Sequence, residues 1–298
     1  MSTHKINVAV IGYGNIGKNA IQAILNAPDM NLVGVVRRNA KPIDEPNIKV
    51  AERIEDLDRP LVCVLCAPSR LIPEMAAEYM QKGYYTVDSF DIHGQIPEVR
   101  DKLRHVAQRN GLSCILSAGW DPGTDSVIRA LMTAMAPNGI TYTNFGPGMS
   151  MGHSVAAKAI SGVFDAVSMT MPQGAGIHNR VVYVQLNEGA SFESVSKAIK
   201  ADEYFCHDNT QVIEVPDIAE IKQEAHGVDL IRYGSSSNRS NQNIRFEMKI
   251  DNPALTAQIL TGCVRAAIRQ KPGCYTLIEI PPVDLLPGSR ERWIKELV

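Results

Sequence analysis

The stretch from Ile6 to Arg38 constrains the fold of this chain most, because it reads as a strand, a glycine-rich turn, a helix and a second strand. It opens with a short apolar run rich in β-branched residues, which is typical of a strand buried on both faces of a parallel sheet. The next six residues, Gly12 to Gly17, match G-x-G-x-x-G. There the first glycine turns the chain, the second lets a pyrophosphate approach the backbone, and the third allows close packing of helix on strand. The stretch therefore predicts a dinucleotide-binding unit of the Rossmann type.

The end of the second predicted strand indicates which dinucleotide binds. In a site specific for NAD, an Asp or Glu about twenty residues beyond the glycines binds the ribose 2'-hydroxyl group. Here that position holds Arg37, followed by Arg38. A guanidinium group binds a 2'-phosphate, whereas a carboxylate repels it. We therefore predict NADP(H) as the cofactor, bound by both arginines and by the turn residues Gly12, Tyr13, Gly14, Asn15, Ile16 and Gly17.

Composition argues against several classes of partner. Thirty Lys and Arg against 32 Asp and Glu give a formal net charge of -2 over 298 residues, so no global basic field favours nucleic acid or an anionic membrane. No apolar run approaches the roughly twenty residues that span a bilayer. The polar N-terminus, Met1–Lys5, leads into a strand without the apolar segment of a signal peptide. We expect a cytoplasmic protein with a small-molecule substrate, no nucleic-acid partner and no membrane association.

The six cysteines raise the question of a metal site, most directly at Cys63-x-x-Cys66. The surrounding residues, Leu61–Cys66, read as a buried strand, and positions three apart on a strand point to opposite faces. These two sulfur atoms are therefore not expected to share a metal ion. The other four cysteines lie among apolar neighbours and are read as small core residues. We predict no metal site.

The alternation of strands and helices continues to about residue 120. Strands are predicted at Leu61–Cys66, Tyr85–Val87 and Ser113–Ser117, and helices at Pro73–Lys82 and Pro97–Asn110. This order is typical of a doubly wound α/β sheet.

Polar or glycine-rich segments follow three of these strands, and ligands of such sheets bind beyond the carboxyl ends of the strands. The first segment is expected beside the nicotinamide ribose, and the other two bring Asp91 and Asp121 toward the same crevice. The predicted cofactor contacts therefore also include Cys66, Ala67, Pro68, Ser69 and Asp91.

The pattern changes after about Thr141, where short strands of a mostly antiparallel sheet are predicted. In the run from Ile244 to Asp251, apolar and charged residues alternate, which is typical of a sheet with one buried and one wet face. We predict a dinucleotide-binding domain at 1–120 and a second domain at 121–253. A helix from Ala254 to about Gln270 and a strand at Thr276–Ile280 are expected to return to the first domain, so that 254–298 belongs to it. The predicted strands of the second domain are Thr141–Phe145, Asp165–Met171, Arg180–Leu186, Gln211–Val215, Gly227–Tyr233 and Asn243–Ile250.

Eight strings in this order resemble the meso-diaminopimelate dehydrogenase family along essentially the whole chain: GYGNIG, VVRR, VDSFDIHG, SAGWDPGTDS, TNFGPGMSMGHSVA, HGV, RFEM and DNPALTAQ. The resemblance implies oxidation of the D-configured centre of meso-2,6-diaminopimelate by NADP, giving L-2-amino-6-oxopimelate and ammonia. The reverse reaction is a reductive amination that feeds lysine synthesis. The implied fold is a Rossmann-type domain plus an α+β domain for substrate binding and dimerisation, in a homodimer.

The same resemblance implies roles for individual residues. Asp91 and Asp121 would flank the reacting amino group and act as the catalytic residues, with Trp120 and Phe145 shaping the slot around it. Four residues would hold the distal L-centre, mainly its carboxylate: Thr170, Arg180, His226 and Asn252. Met151 and Gly152 would give backbone donors, and His153 is a further candidate substrate contact.

Other interpretations of these residues stay open on sequence alone. Asp91 and Asp121 could simply begin or cap turns, and Arg180 could be a surface charge at the start of a strand. At the level of function, a reductase similar to dihydrodipicolinate reductase would also combine an NADP domain with a mixed substrate domain. A protein that binds NADPH as a sensor, without chemistry, is the third possibility. The two aspartates and the arginine favour the dehydrogenase.

Overall fold

The computed structural model describes residues 5–221, 226–237 and 240–298, so the N-terminal residues 1–4 lie outside the described part. The chain divides into two compact units. The first unit comprises Met1–Val127 and Pro253–Val298, and the second comprises Ile128–Asn252. Within the described ranges, no helix is long and apolar enough to cross a bilayer.

The first unit is built on a seven-stranded sheet in which all pairs are parallel. The strand order is β14-β6-β5-β4-β1-β2-β3. The strands are β1 (Ile6–Ile11), β2 (Met30–Val36), β3 (Val50–Ala51), β4 (Val62–Leu65), β5 (Tyr85–Asp88), β6 (Ser113–Ile115) and β14 (Gly273–Tyr275). Since β1 pairs with β2 on one side and β4 on the other, the order reverses at β1, where sheets of this type bind ligands.

Helices cover both faces of this sheet. They are α1 (Asn15–Leu25), α2 (Ile72–Gln81), α3 (Ile96–Asn110) and α7 (Asn252–Ala267). Two further helices are α4 (Thr124–Met135), which begins in the first unit and continues past its boundary at Val127, and α8 (Arg290–Leu297). On one face, Ile24 of α1 and Val264 of α7 pack in one buried apolar cluster with β1. On the other, Met80 of α2 and Leu103 of α3 belong to a second cluster. The strands between the two clusters are apolar on both sides, which explains the continuous apolar runs in the sequence.

The second unit contains two smaller sheets. One has four strands in the order β11-β10-β9-β8, and the other has three in the order β13-β12-β7. Only the β10–β11 pair is parallel among the pairs of these two sheets that the structure describes. The elements are β7 (Asn138–Phe145), β8 (Gly148–Ser150), α5 (Met151–Lys158), β9 (Val163–Gly174), β10 (Ile177–Leu186), α6 (Phe192–Ala201), β11 (Asn209–Glu214), β12 (His226–Ser237) and β13 (Ser240–Ile250). The predicted fold class, a doubly wound sheet joined to a mostly antiparallel part, is confirmed.

The prediction of a strand at Thr276–Ile280 is wrong. The strand at this place is β14, and 277–279 form a 3-10 turn. Thr276 caps that turn, because its backbone N–H and its hydroxyl group both donate to the Glu279 carboxylate, at 2.9 and 3.0 Å. Leu277 and Ile280 are buried three positions apart, which suits a helical turn and not the two-residue period of a strand.

Candidate active site

The glycine-rich turn connects β1 to α1, and its geometry explains two of its three glycines. Gly12 has φ +105°, and a Cβ atom there would lie 2.2 Å from the Cys66 carbonyl oxygen. A Cβ atom at Gly17 would lie 2.4 Å from the Gly12 carbonyl oxygen. Space around the position of a Cβ atom on Gly14 is open to 4 Å, and no acidic residue lies in the first turn of α1. The turn therefore leaves backbone N–H groups at a helix start open to an anion, as a pyrophosphate requires.

Arg37 and the glycine-rich turn, both predicted to bind the cofactor, meet at the ring of Tyr13. The Arg37 guanidinium carbon lies 5.0 Å from the centre of that ring, and the Lys18 Nζ atom also lies 5.0 Å from it. Arg37 donates to the Pro42 carbonyl oxygen at 3.1 Å, and Arg38 is exposed. Two cations, those of Arg37 and Lys18, therefore lie beside the turn.

The segment that carries Asp44 and Glu45 lies against the same ring. The Tyr13 hydroxyl group donates to Glu45 at 2.7 Å and accepts from the Asp44 backbone N–H at 2.9 Å. Asp44 also pairs with Lys18 at 2.9 Å. These acidic residues were not part of the predicted cofactor site. Their presence means that the Lys18 cation already has a carboxylate partner in this structure.

Asp91 lies at the carboxyl edge of the parallel sheet together with the predicted cofactor segment Cys66–Ser69. The Ser69 hydroxyl group donates to the Asp91 carboxylate at 2.6 Å, and the Asp91 backbone N–H donates back to Ser69 Oγ at 3.3 Å. The segment itself is anchored by the Cys66 N–H, which donates to the Ile11 carbonyl oxygen at 2.8 Å. The segments that follow β4 and β5, which the sequence predicted at the same edge of the sheet, are therefore in direct contact.

Asp121 lies in the segment between β6 and α4, next to the buried ring of Trp120. The Asp121 carboxylate is 3.9 Å from His93 Nε2 and is 15% exposed. His93 belongs to the same segment as Asp91, since both follow β5. The two predicted catalytic carboxylates therefore lie on neighbouring loops of the first unit, Asp91 with a hydrogen bond from Ser69 and Asp121 within 3.9 Å of His93.

Arg180 is the centre of a second cluster, in the second unit. It is opposite Thr170 in the register of β9 and β10, and its Nη1 atom donates to Thr170 Oγ1 at 2.5 Å. Its Nε atom donates to Asp208 at 2.6 Å, and Nη2 lies 3.3 Å from His178 Nε2. Arg180 is 8% exposed, so it is not a surface charge. A guanidinium group has five N–H donors, of which these contacts use three.

Three imidazoles surround this arginine. Burial and then the Arg180 charge lower the pKa of His153 to about 3, and burial with the same charge lowers the pKa of His226 to about 4. His153 Nδ1 lies 2.9 Å from Ser150 Oγ. His178 lies 3.7 Å from the Asp208 carboxylate and packs edge to face on Phe145, with ring centres 5.8 Å apart. His153 and His226 are therefore neutral at neutral pH, and Arg180 carries the positive charge.

Four further predicted substrate residues, Met151, Gly152, Phe145 and Asn252, belong to the second unit. Met151 and Gly152 are the first two residues of α5, directly after β8, and β8 pairs with β9 next to Thr170. Phe145 ends β7 and pairs with Val228, two residues after His226. Asn252 is the first residue of α7 and lies two residues after Ile250, which pairs with His226.

Sequence reasoning missed two members of the cluster, His178 and Asp208. His178 could have been found, since it lies two positions before Arg180 on one strand and so shares its face. Asp208 lies in a loop before β11, and only the parallel pairing of Asn179 with Asn209 brings it to Arg180. Burial raises the pKa of Asp208, but hydrogen bonds from His178 and Arg180 outweigh that and hold it well below its ordinary value.

The two cysteines of the Cys-x-x-Cys spacing are Cys63 and Cys66. Cys63 is buried in β4, and Cys66 follows that strand. Burial raises the pKa of the Cys66 thiol to about 12, so it is protonated at neutral pH. In the described part of the chain, no group of three or more His, Cys, Asp or Glu side chains could hold a metal ion.

Fold and site together define a pyridine-nucleotide oxidoreductase whose second unit holds a buried arginine, Arg180, with three histidines near it. Family models agree: residues 6–87 match the oxidoreductase family with an NAD-binding Rossmann fold, and residues 119–177 match the diaminopimelic acid dehydrogenase C-terminal domain. A curated meso-diaminopimelate D-dehydrogenase from Bacteroides fragilis is 50% identical over 99% of both chains. The chain belongs to the meso-diaminopimelate D-dehydrogenase family, as the sequence resemblance predicted.

Two solved structures match over 99% of this chain and 100% of their own. One is the diaminopimelate dehydrogenase of C. glutamicum in complex with diaminopimelate, with a TM-score of 0.89 and 31% identity. The other is an engineered D-amino acid dehydrogenase bound to NADP+, with a TM-score of 0.90 and 29% identity. The prediction of an amino-acid dehydrogenase is confirmed at the level of the family.

Proposed function

We propose that this protein catalyses the reversible, NADP-dependent oxidative deamination of meso-2,6-diaminopimelate at its D-centre, with L-2-amino-6-oxopimelate and ammonia as products. The observation that carries the proposal is 50% identity over 99% of both chains to a curated meso-diaminopimelate D-dehydrogenase. It favours the dehydrogenase over a ring reductase or a sensor, because the similarity extends over both units and not over the dinucleotide motif alone.

The cofactor would bind at the glycine-rich turn of the first unit. The tight approach of Gly12 to Cys66, the open space at Gly14 and the position of Arg37 beside Tyr13 fit a dinucleotide with a 2'-phosphate. NADP, when bound, accepts the hydride that leaves the substrate Cα atom. We assign the pyrophosphate to the backbone N–H groups of residues 14–17 and the 2'-phosphate to Arg37, with Arg38 as a second cation.

Asp91 and Asp121 would act on the reacting amino group. Hydride transfer from an amine leaves a cationic iminium group, which carboxylates stabilise, and water then adds to release ammonia. The Ser69 hydroxyl group orients the Asp91 carboxylate by its 2.6 Å hydrogen bond. His93 Nε2, at 3.9 Å from the Asp121 carboxylate, would form an ion pair with it when the imidazole is protonated. In this scheme no side chain forms a covalent bond to the substrate.

Arg180 would bind a carboxylate of the dicarboxylate substrate. Its two remaining Nη donors can hold a carboxylate in a planar fork, while Asp208 and Thr170 fix the rest of the guanidinium group. His226, His153 and Asn252 would supply neutral polar contacts to the L-centre. Met151 and Gly152 would supply backbone N–H groups from the start of α5, and Trp120 and Phe145 would form the apolar walls.

The test is NADP reduction by the purified protein with meso-, LL- and DD-diaminopimelate in separate reactions, with ammonia measured in parallel. Turnover of the meso isomer with one ammonia per NADPH, and none of the LL isomer, supports a dehydrogenase at a D-centre. NADPH oxidation that needs no ammonia, with a cyclic imine or enamine as substrate, would indicate the reductase instead. Tight NADPH binding without turnover of any of these compounds would indicate the sensor.

A homodimer in the cytoplasm completes the proposal. Three large apolar side chains of β9 and β10 are exposed, namely Phe164 at 66%, Ile177 at 62% and Met171 at 38%. Exposed apolar surface of this kind is typical of a protein interface. Sedimentation equilibrium decides the point: a mass near twice 32.6 kDa is expected, and a monomer at micromolar concentration would contradict the dimer.

A further inference from the structure

One buried carboxyl group, that of Asp88, has no part in the proposed chemistry. It ends β5, an interior strand of the parallel sheet, and is 0% exposed. Its Oδ1 atom accepts two backbone hydrogen bonds, from Phe90 at 2.9 Å and from Ser117 at 3.1 Å. These two residues lie on different loops, and each loop leads within four residues to one of the proposed catalytic aspartates.

The contact to Phe90 forms the first of these loops. A carboxylate that accepts from the N–H two residues later closes a tight turn. Phe90 is itself 0% exposed, so the turn is fixed by packing as well as by the hydrogen bond. The next residue is Asp91, whose carboxylate then reaches Ser69. Asp88 therefore sets the direction in which the chain carries Asp91 out of the sheet.

The contact to Ser117 forms the second loop. The Leu116 N–H donates to the Tyr275 carbonyl oxygen on the β14 side, whereas the N–H groups of Ser117 and Ala118 both donate to Asp88 on the β5 side. Successive N–H groups of a regular strand point to opposite sides, so the chain must depart from a strand here. It does so at Ser117, which has φ +58°, a conformation that costs energy for a residue other than glycine. The Asp88 side chain supplies the acceptor that compensates for this departure.

We propose that Asp88 is a positioning residue, which holds the loop of Asp91 and the loop of Asp121 in register by accepting one backbone N–H group from each. The assignment rests on the proposed function insofar as those two aspartates are the catalytic ones. A neutral acceptor suffices for this role, because each contact is to an N–H group. Burial also raises the pKa of Asp88 to about 7, and its Oδ2 atom is buried without a hydrogen-bond partner in the described part of the chain.

The experiment compares Asp88→Asn, which keeps the shape and the Oδ1 acceptor, with Asp88→Leu, which keeps the approximate shape and removes the acceptor. We expect Asp88→Asn to keep kcat for meso-diaminopimelate within about threefold. Asp88→Leu should lower kcat by about 10²-fold, the effect of a misplacement near 1 Å, with the NADPH dissociation constant nearly unchanged. Equal loss of kcat in both variants, or native kcat in Asp88→Leu, would overturn the proposal.

Asp284 provides the matched control. It is also 0% exposed and lies in the first unit, but it binds Arg290 and Gln270 near the C-terminus. Asp284→Leu should lower the unfolding midpoint and leave kcat of the folded protein unchanged. If Asp88→Leu does not fold, Asp88→Ser replaces it, because a serine hydroxyl group is too short to accept from both N–H groups.

Crystal structures of the wild type and of the acceptor-free variant keep the proposal separate from the proposed function. We expect residues 89–91 and 117–121 to shift in that variant and to stay in place in Asp88→Asn. If the wild type does not turn over diaminopimelate but the loops shift as expected, the function is wrong and the positioning role stands. Unshifted loops would refute the role whatever the activity.

Discussion

Asp88 in the first unit and Asp208 in the second are both carboxyl groups removed largely from water, yet their pKa values move in opposite directions. Burial raises the pKa of Asp88 to about 7, and two backbone N–H groups reduce that shift only in part. Burial also acts on Asp208, but hydrogen bonds from His178 and Arg180 and the charge of Arg180 bring its pKa below the ordinary value. Asp208 also has 21% of its side chain exposed, against 0% for Asp88, so weaker burial and the contact with a cation both favour the lower pKa.

The difference separates two ways of building a site. In the first unit, the Asp88 carboxyl group accepts hydrogen bonds from the backbone of two loops, and so fixes the conformation of those loops. In the second unit, the Asp208 carboxylate contacts a cation and fixes the side chain of Arg180, which we propose binds a substrate carboxylate. We expect substitutions in the first to act mainly on kcat or on the pH response, and substitutions in the second to act mainly on KM.

The largest effect is expected for Asp121→Asn. Loss of a group that takes part in proton transfer typically lowers kcat by about 10²- to 10⁴-fold. The NADPH dissociation constant should stay nearly constant, because the glycine-rich turn is untouched. Steady-state kinetics and a fluorescence titration with NADPH measure the two quantities. Asp101→Asn, at an exposed position of α3, is the control, and turnover by Asp121→Asn equal to that of this control would remove Asp121 from the mechanism.

Next comes Arg180→Met, which leaves Asp208 without its guanidinium partner. Breaking a buried pair costs about 3–5 kcal/mol, and we expect the lower end because the Asp208 side chain is 21% exposed. KM for meso-diaminopimelate should rise by about 10- to 100-fold, the worth of a charge-assisted hydrogen bond. Urea denaturation and initial-rate kinetics test both. Arg245→Met removes an exposed pair with Asp229 on another sheet and should change neither by much; equal behaviour of the two variants would refute an anion site at Arg180.

The pH dependence of stability sharpens the comparison further. Between the ordinary pKa of 3.8 and about 7, folded Asp88 holds a proton that the unfolded chain has released. Its contribution is therefore fully present below pH 3.8 and is lost as pH rises through 7, by about 4 kcal/mol. Asp208 acts in the opposite sense, since its contribution is present above its ordinary pKa and is lost as pH falls below it. We would measure urea midpoints from pH 3 to 8. Asp88→Asn should reduce the loss of stability as pH rises toward 7, and Asp208→Asn should reduce the loss of stability at acid pH. If both variants changed the stability over the same pH range, the assignment of these two ranges to Asp88 and Asp208 would be contradicted.

Arg37→Asp should give the smallest effect. A carboxylate beside the Tyr13 ring would repel the 2'-phosphate and accept from a ribose hydroxyl group, so the ratio of kcat/KM for NADP to that for NAD should fall at least about tenfold. Arg38→Asp, at a more exposed position, should change the ratio less. An unchanged ratio in Arg37→Asp would mean that the 2'-phosphate is bound elsewhere.

The predictable parts of this molecule are those that are local in sequence. The turn from Gly12 to Gly17 and its Arg37 lie within one strand–helix–strand unit, so pattern and spacing sufficed. The cluster around Arg180 depends on which strands pair: His178 shares its strand, but Asp208 arrives only through the parallel pairing of β10 with β11. The contacts of Asp88 were also not predicted. They depend on the change of chain direction at Ser117, and no sequence pattern indicates that change. The prediction of a strand at Thr276–Ile280 was wrong for a similar reason. The apolar run suggested a strand, but the Glu279 side chain caps a 3-10 turn there.

The contacts of Arg180 also bear on the entropy of ligand binding. A free arginine side chain has about 2 kcal/mol of rotational freedom to lose when it is fixed. Here Thr170 and Asp208 already immobilise it, so that loss falls on the folding of the chain and not on the capture of a ligand. A rigid dicarboxylate that matches the fork should therefore bind with little ordering cost on the protein side, and its affinity should report the strength of the charge contact almost directly.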